Sequence, residues 1–174
     1  MEISRLGFLE IYKTDDSIMG VIMVTDTETK PIEFRVTSPI KPTSFQKILY
    51  GNVLEEHISV ELVALPLLNA INEELDLILV NDANFLGINS KQETRAVRIF
   101  SGSKAATNNL SQLQLKPSNG RPDPVLLETS KEMEDELPGI IEALTPLSLR
   151  RDLIEPFDRL KLACEQVHNK RTKE

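Results

Sequence analysis

The side chains able to do chemistry in this sequence are carboxylates, two histidines, one cysteine and scattered serines. The carboxylates are the sharpest candidates. Glu10 falls midway along an apolar stretch, Asp82 follows the run Leu75–Val80, and Glu55, Glu56 and Glu61 lie between them. Clustered carboxylates are hard oxygen ligands for Mg2+ or Mn2+, and two such ions drive phosphodiester hydrolysis by clamping the attacking and leaving oxygens. Left apart, the same acids describe a solvated sheet edge and helix face. His57 with Glu61 is an i, i+4 pair, but zinc needs more nitrogen or sulfur ligands than this neighbourhood offers. An exposed helical histidine beside acids is the other reading. Cys164 has His168 at i+4, yet it falls on an apolar seam, which describes a buried core thiol rather than a nucleophile.

No Gly-x-Ser-x-Gly elbow, no Gly-x-Gly-x-x-Gly turn and no Gly-Lys-Ser/Thr phosphate loop occurs. Hydrophobic residues at 40% and charged residues at 27% are ordinary for a globular chain. One cysteine gives no internal disulfide, the first residues lack a signal-peptide layout, and the apolar stretch near Leu62–Leu68 is too short for a bilayer. The expected location is the cytoplasm, with no membrane partner. A net charge of −7 speaks against nucleic acid binding over the whole surface. The visible basic clusters are Arg150-Arg151 and Lys170-Arg171-Lys173.

Three strands open the chain as an antiparallel meander: Leu6–Lys13, Ile18–Thr25 and Ile32–Thr37, with Ile32, Phe34 and Val36 on one face of the third. Thr43 and Gln46 form a capping box for a helix over Ser44–Tyr50, which Gly51 stops. Asn52 with Glu55 starts a longer helix whose buried stripe is Leu54, Ile58, Leu62 and Leu65, kinked or interrupted at Pro66. Leu75–Val80 is apolar almost throughout, as a strand buried on both faces must be. Further strands follow at Thr94–Ser101 and Val125–Thr129, with a short edge strand around Leu113 and Leu115. An acidic helix or helix pair over Lys131–Leu144 is broken near Pro138-Gly139, and a last helix over Asp152–His168 carries a seam of Leu153, Phe157, Leu160, Cys164 and Val167.

The fold class is α+β: an N-terminal meander, then a helix and a buried central strand, then C-terminal helices. Residues 1–130 form the core domain, with a mobile loop at 101–124, and 131–174 are a helical element packed on it. Over roughly Leu6–Asp82 this element order resembles the ribonuclease H-like arrangement. That resemblance implies that the first strand and Leu75–Val80 are neighbours, so that Glu10 and Asp82 could converge with a helical acid such as Glu61. The phrases Pro42-Thr43 through Leu49-Tyr50-Gly51 and Glu155-Pro156-Phe157-Asp158-Arg159 resemble a conserved, uncharacterised prokaryotic protein family, which implies nothing about activity.

By elimination, the expected function is a protein-interaction or adaptor module without catalysis or cofactor. Its partner is another protein in a larger intracellular complex, or a second copy meeting it through the last helix. The alternative is a metal-dependent ribonuclease H-like nuclease, or a degenerate relative. It would bind nucleic acid, hold Mg2+ or Mn2+ on Glu10 and Asp82, and use Glu61 as the third catalytic acid. A third reading is small-molecule binding at the strand ends near Asn81–Asn84.

Overall fold

A computed structural model describes residues 1–102, 110–115 and 123–173. The meander is present as β1 (Leu6–Lys13), β2 (Ile18–Thr25) and β3 (Pro31–Val36), followed by β4 (Leu77–Val80), β5 (Ala96–Ser101), β6 (Leu110–Leu115) and β7 (Val125–Ser130). They form one seven-stranded sheet in the order β3-β2-β1-β4-β5-β7-β6. β1, β4 and β5 are parallel at its centre, and the other neighbouring pairs are antiparallel. The α+β class and the ribonuclease H-like element order therefore stand. Of the loop 101–124, residues 103–109 and 116–122 lie outside the described residues, and β6 lies between them.

Two apolar layers cover the sheet, and strand alternation decides which residues enter each. Leu6 and Phe8 of β1 join Leu77, Leu79, Val97 and Ile99 on the face under α4 (Leu137–Arg150) and α5 (Glu155–Thr172). Leu9 joins Ile22, Ile78 and Val80 on the opposite face, under the helical segment between β3 and β4. All four residues of β4 are buried, because both faces are covered. Phe8 meets Phe157 of α5 edge to face, with ring centroids 5.5 Å apart.

The segment between β3 and β4 departs from the single helix expected after Gly51. It comprises α1 (Ser44–Tyr50), a 3-10 turn at Gly51–Val53, α2 (Leu54–His57), a π-helix at Ile58–Ala64 and α3 (Leu65–Ala70). The Thr43–Gln46 capping box is formed, and Gly51 ends α1 at a positive φ of 51°. Asn52 makes no cap. The π turns advance the buried face, so Ile58, Ser59, Val60, Val63, Ala64 and Leu67 point inward while Leu62 is exposed. Pro66 falls where the helix changes from π to α geometry. It sits in the first turn of α3, just after the π turns, where the donor it lacks is not needed. Gly20 of β2 lies directly beneath Val63. A Cβ built on Gly20 would lie 2.1 Å from the nearer Val63 methyl.

The acidic helix divides close to Pro138-Gly139. Lys131–Glu136 is a 3-10 turn and α4 begins at Leu137, with the proline in its first turn. β4 is followed by a 3-10 segment, Ala83–Ser90.

Candidate functional site

The parallel strands β1 and β4 end side by side. Leu9 pairs with Val80, and the next residues along are Glu10 and Asn81. In open sheets containing parallel strands, ligands settle beyond the carboxyl ends of such strands. Here that end carries a cavity of about 270 Å3, lined among others by Ile11, Lys13, Lys47, Glu55, Ser59 and Asp82. The topology explains the set. The helical segment starts at the end of the sheet where β1 and β4 finish, so its first acids reach Asp82 and its later ones do not.

Asp82 caps the 3-10 segment, its Oδ1 accepting from the Asn84 amide at 2.9 Å. Glu55 is largely exposed, and its Oε1 lies 3.9 Å from the Lys13 ammonium. Ser59 is 1% exposed and lines the cavity, and no described residue hydrogen-bonds its hydroxyl. That leaves a buried polar group facing the opening with spare capacity. Apolar side chains of Ile11, Ile18, Leu54 and Ile58 complete the wall.

The acids named from sequence are separated by the sheet. Glu10 shares the parity of Phe8 and Tyr12 and so points to the α5 side, where it is 5% exposed. Its Oε2 accepts from Asn81 Nδ2 at 3.0 Å and its Oε1 from the Ile11 amide at 2.9 Å. Burial pushes the Glu10 carboxyl above the ordinary glutamate range, the hydrogen bonds from Asn81 and Ile11 and nearby Lys161 partly oppose this, and the Asp82 charge adds to it. Glu10 and Asp82 thus feel each other. Glu61 is not part of that pair. It belongs to the π-helix on the opposite face and pairs with Lys91 at 3.0 Å. Glu55, left undistinguished among three helical acids, is the one that shares a cavity with Asp82. Strand parity was the available signal, since Phe8 and Tyr12 already assign Glu10 to the other face.

Among the described residues no group of three or more His, Cys, Asp and Glu side chains is placed to hold a metal ion. His57 stacks on Tyr50, with centroids 4.6 Å apart, rather than pairing with Glu61. Cys164 is fully buried, and burial first, then the Glu10 charge, raises its thiol to about 11, which suits a core residue. His168 lies against Tyr12. The seam of the last helix is spent on the protein's own core, with Phe157, Leu160 and Cys164 buried, so it offers no surface to a second copy.

Behind the cavity a chain of polar contacts crosses five neighbouring strands. Glu10 on β1 holds the side chain of Asn81, and the carbonyl of Asn81 accepts from Arg98 Nε of β5 at 3.1 Å. Arg98 Nη1 donates to Glu128 of β7 at 3.0 Å, and Glu128 also accepts from Gln112 of β6. The Arg98 guanidinium lies 4.2 Å from the Phe100 ring centroid. This chain fixes the residue immediately before Asp82.

The raised carboxyl of Glu10 makes stability pH-dependent with a definite sign. Below about pH 4.5 the group is protonated whether the chain is folded or not, and it contributes nothing. As pH rises, the unfolded chain gives up this proton first, so the folded state loses stability. Glu10→Gln is therefore expected to gain stability over wild type from acid toward neutral pH. Urea melts of both proteins across that range would reveal the trend, and a gap that narrows with rising pH would contradict it.

No family model matches the sequence, and neither does any curated protein. Solved structures do match. Human ENDOV aligns over 99% of this chain and 87% of its own, with a TM-score of 0.56 and 14% identity. At that identity the likeness shows a shared fold. The catalytic domain of human Endonuclease V aligns over 98% of this chain and 84% of its own, with a TM-score of 0.53 and 12% identity. A Ciona intestinalis Endonuclease V, solved with a 24mer DNA containing an inosine followed by a ribo-adenosine, reaches a TM-score of only 0.44 at 9% identity. It covers 78% of this chain and 76% of its own, and at that score the likeness carries no weight.

These matches overturn the expected adaptor module. A chain aligned almost end to end with endonucleases shares the fold of enzymes, so the readings of a non-catalytic module and of no cofactor are both withdrawn. No described helix is long and apolar enough to cross a membrane.

Proposed function

We propose that the chain is a metal-dependent phosphodiesterase acting on nucleic acid at the carboxyl ends of β1 and β4. One observation carries the reading: four carboxylates, Asp82, Glu55, Asp15 and Asp16, share a cavity with two lysines, Lys13 and Lys47, at the central strand ends of a fold shared with endonucleases.

The donor set fits one hard cation. Asp82 and Glu55 offer carboxylate oxygens, and the buried Ser59 hydroxyl offers a further oxygen without a partner among the described residues. Mg2+ typically takes one or two carboxylates and completes its shell with water and substrate phosphate. Two acids are therefore enough for one ion. Asp15 and Asp16 also line the cavity, but among the described residues no three acids are placed to hold an ion together, and Glu10 and Glu61 point elsewhere. A bound Mg2+ or Mn2+ supplies Lewis-acid polarisation of the phosphodiester. The chain's own groups do the rest. Lys13 and Lys47 attract the phosphate as point charges, which a protein of charge −7 needs locally. The Ser59 hydroxyl donates to a phosphate oxygen, and the isoleucines and Leu54 keep bulk water from the cavity wall. Glu10 positions Asn81, and through it Asp82.

The test is cleavage of labelled single- and double-stranded DNA and RNA in Mg2+ or Mn2+. Asp82→Asn is expected to lose activity about a hundredfold, since it removes a charge held at the reacting phosphate. Calorimetric titration with Mn2+ should show the same substitution weakening metal binding. Wild-type protein that binds no Mn2+ and cuts none of these substrates would refute the proposal.

A further inference from the structure

The seven residues of α1 bury nothing. Phe45, Ile48 and Leu49, at helical spacing, are 67%, 77% and 65% exposed, and Val53 just beyond is 60% exposed. Beside them lies a groove of about 170 Å3 lined by Ile40, Pro42, Tyr50, Leu54, His57 and Leu62. A helix of two turns is marginal in water, and here the capping box is its main local support. Its outward stripe is nevertheless as apolar as a core position.

We infer that α1 is the interface of a twofold homodimer, in which the α1 stripe of each copy packs against the stripe and groove of the other. Area favours a second copy. With Tyr50 and Leu62 the patch exposes on the order of 600 Å2, near the top of what monomers carry and close to the roughly 800 Å2 each partner gives a standard interface. Shape favours it too, because one surface holds both projecting side chains and a groove for them, as an isologous contact requires. The stripe is aliphatic apart from Phe45, which suits protein packing better than base stacking.

The experiment is sedimentation velocity with light scattering on the full chain through the micromolar range. Wild type is expected at twice the 19.6-kDa chain mass. Ile48→Glu, and separately Val53→Lys, are expected at monomer mass with unchanged circular dichroism, since both side chains already face solvent. Leu162→Glu on α5, where the leucine is 63% exposed, should remain dimeric. A monomeric wild type overturns the inference. So does a dimer that survives both α1 substitutions, or one that dissociates only with Leu162→Glu. None of these outcomes depends on whether the protein cuts nucleic acid.

Discussion

Replacing Arg98 with leucine is expected to destabilise the protein by about 3–5 kcal/mol, the usual loss when one member of a buried ion pair is removed. Glu128 is 1% exposed and lies 3.0 Å from the Arg98 guanidinium. Without Arg98 it retains, among the described residues, the Gln112 amide, which cannot neutralise a carboxylate. The effect comes from the orphaned charge more than from the lost contact. The double variant Arg98→Leu/Glu128→Leu should therefore recover most of the stability, because an apolar pair removes the charge that needed a partner. Denaturant unfolding of the three proteins reads this directly. A single variant within about 1 kcal/mol of wild type would show that water or relaxation reaches Glu128. The same substitution frees the Asn81 carbonyl, so cleavage by Arg98→Leu should fall even under conditions where the variant is fully folded.

Gly20→Ala is expected to cost about 3 kcal/mol, the upper end for overpacking a core with one carbon. The added methyl would lie 2.1 Å from one Val63 methyl and 2.8 Å from the other. Valine in a helix has one strongly preferred χ1, so its side chain cannot swing aside, and the π-helix itself must lift from β2. Val63→Ala in the same chain opens the space and should restore stability to near that of Val63→Ala alone. Thermal melts of the single and double variants give the coupling. If the two substitutions simply add, the close approach is not what requires glycine here.

Alternation and apolar runs carried most of the fold. Leu77–Val80 had to be a central strand because its residues are apolar on both parities, and both of its faces are covered. The helical stretch after Gly51 defeated the same method. A 3.6-residue period places Leu54, Ile58, Leu62 and Leu65 in one stripe, but the π turns insert extra residues and rotate Leu62 out to solvent. No local residue type announces a π-helix. Its cause is tertiary, since Val63 seats on a glycine of the neighbouring strand. The candidate site was legible in part. Asp82 follows from the end of β4, and parity on β1 already turns Glu10 away from the helical segment. Choosing Glu55 over Glu61 needed the end of the sheet at which that segment begins, which depends on three strand directions at once. The apolar exposure of α1 was hidden by its ordinary composition, because Phe45, Ile48 and Leu49 are what a core-facing helix also carries.

The pairing of Leu6 with Leu77 has a consequence for how the chain is made. As it leaves the ribosome, the β1–β2–β3 hairpins can close at once, but one side of β1 has no neighbour until Leu77–Val80 has been synthesised. For that interval the nascent chain presents a bare ladder of amide and carbonyl groups flanked by Phe8 and Leu9, the kind of edge that recruits strands from other chains. Slow translation between β3 and β4 prolongs the exposure, and chaperone dependence should be set by that stretch rather than by the stability of the finished molecule.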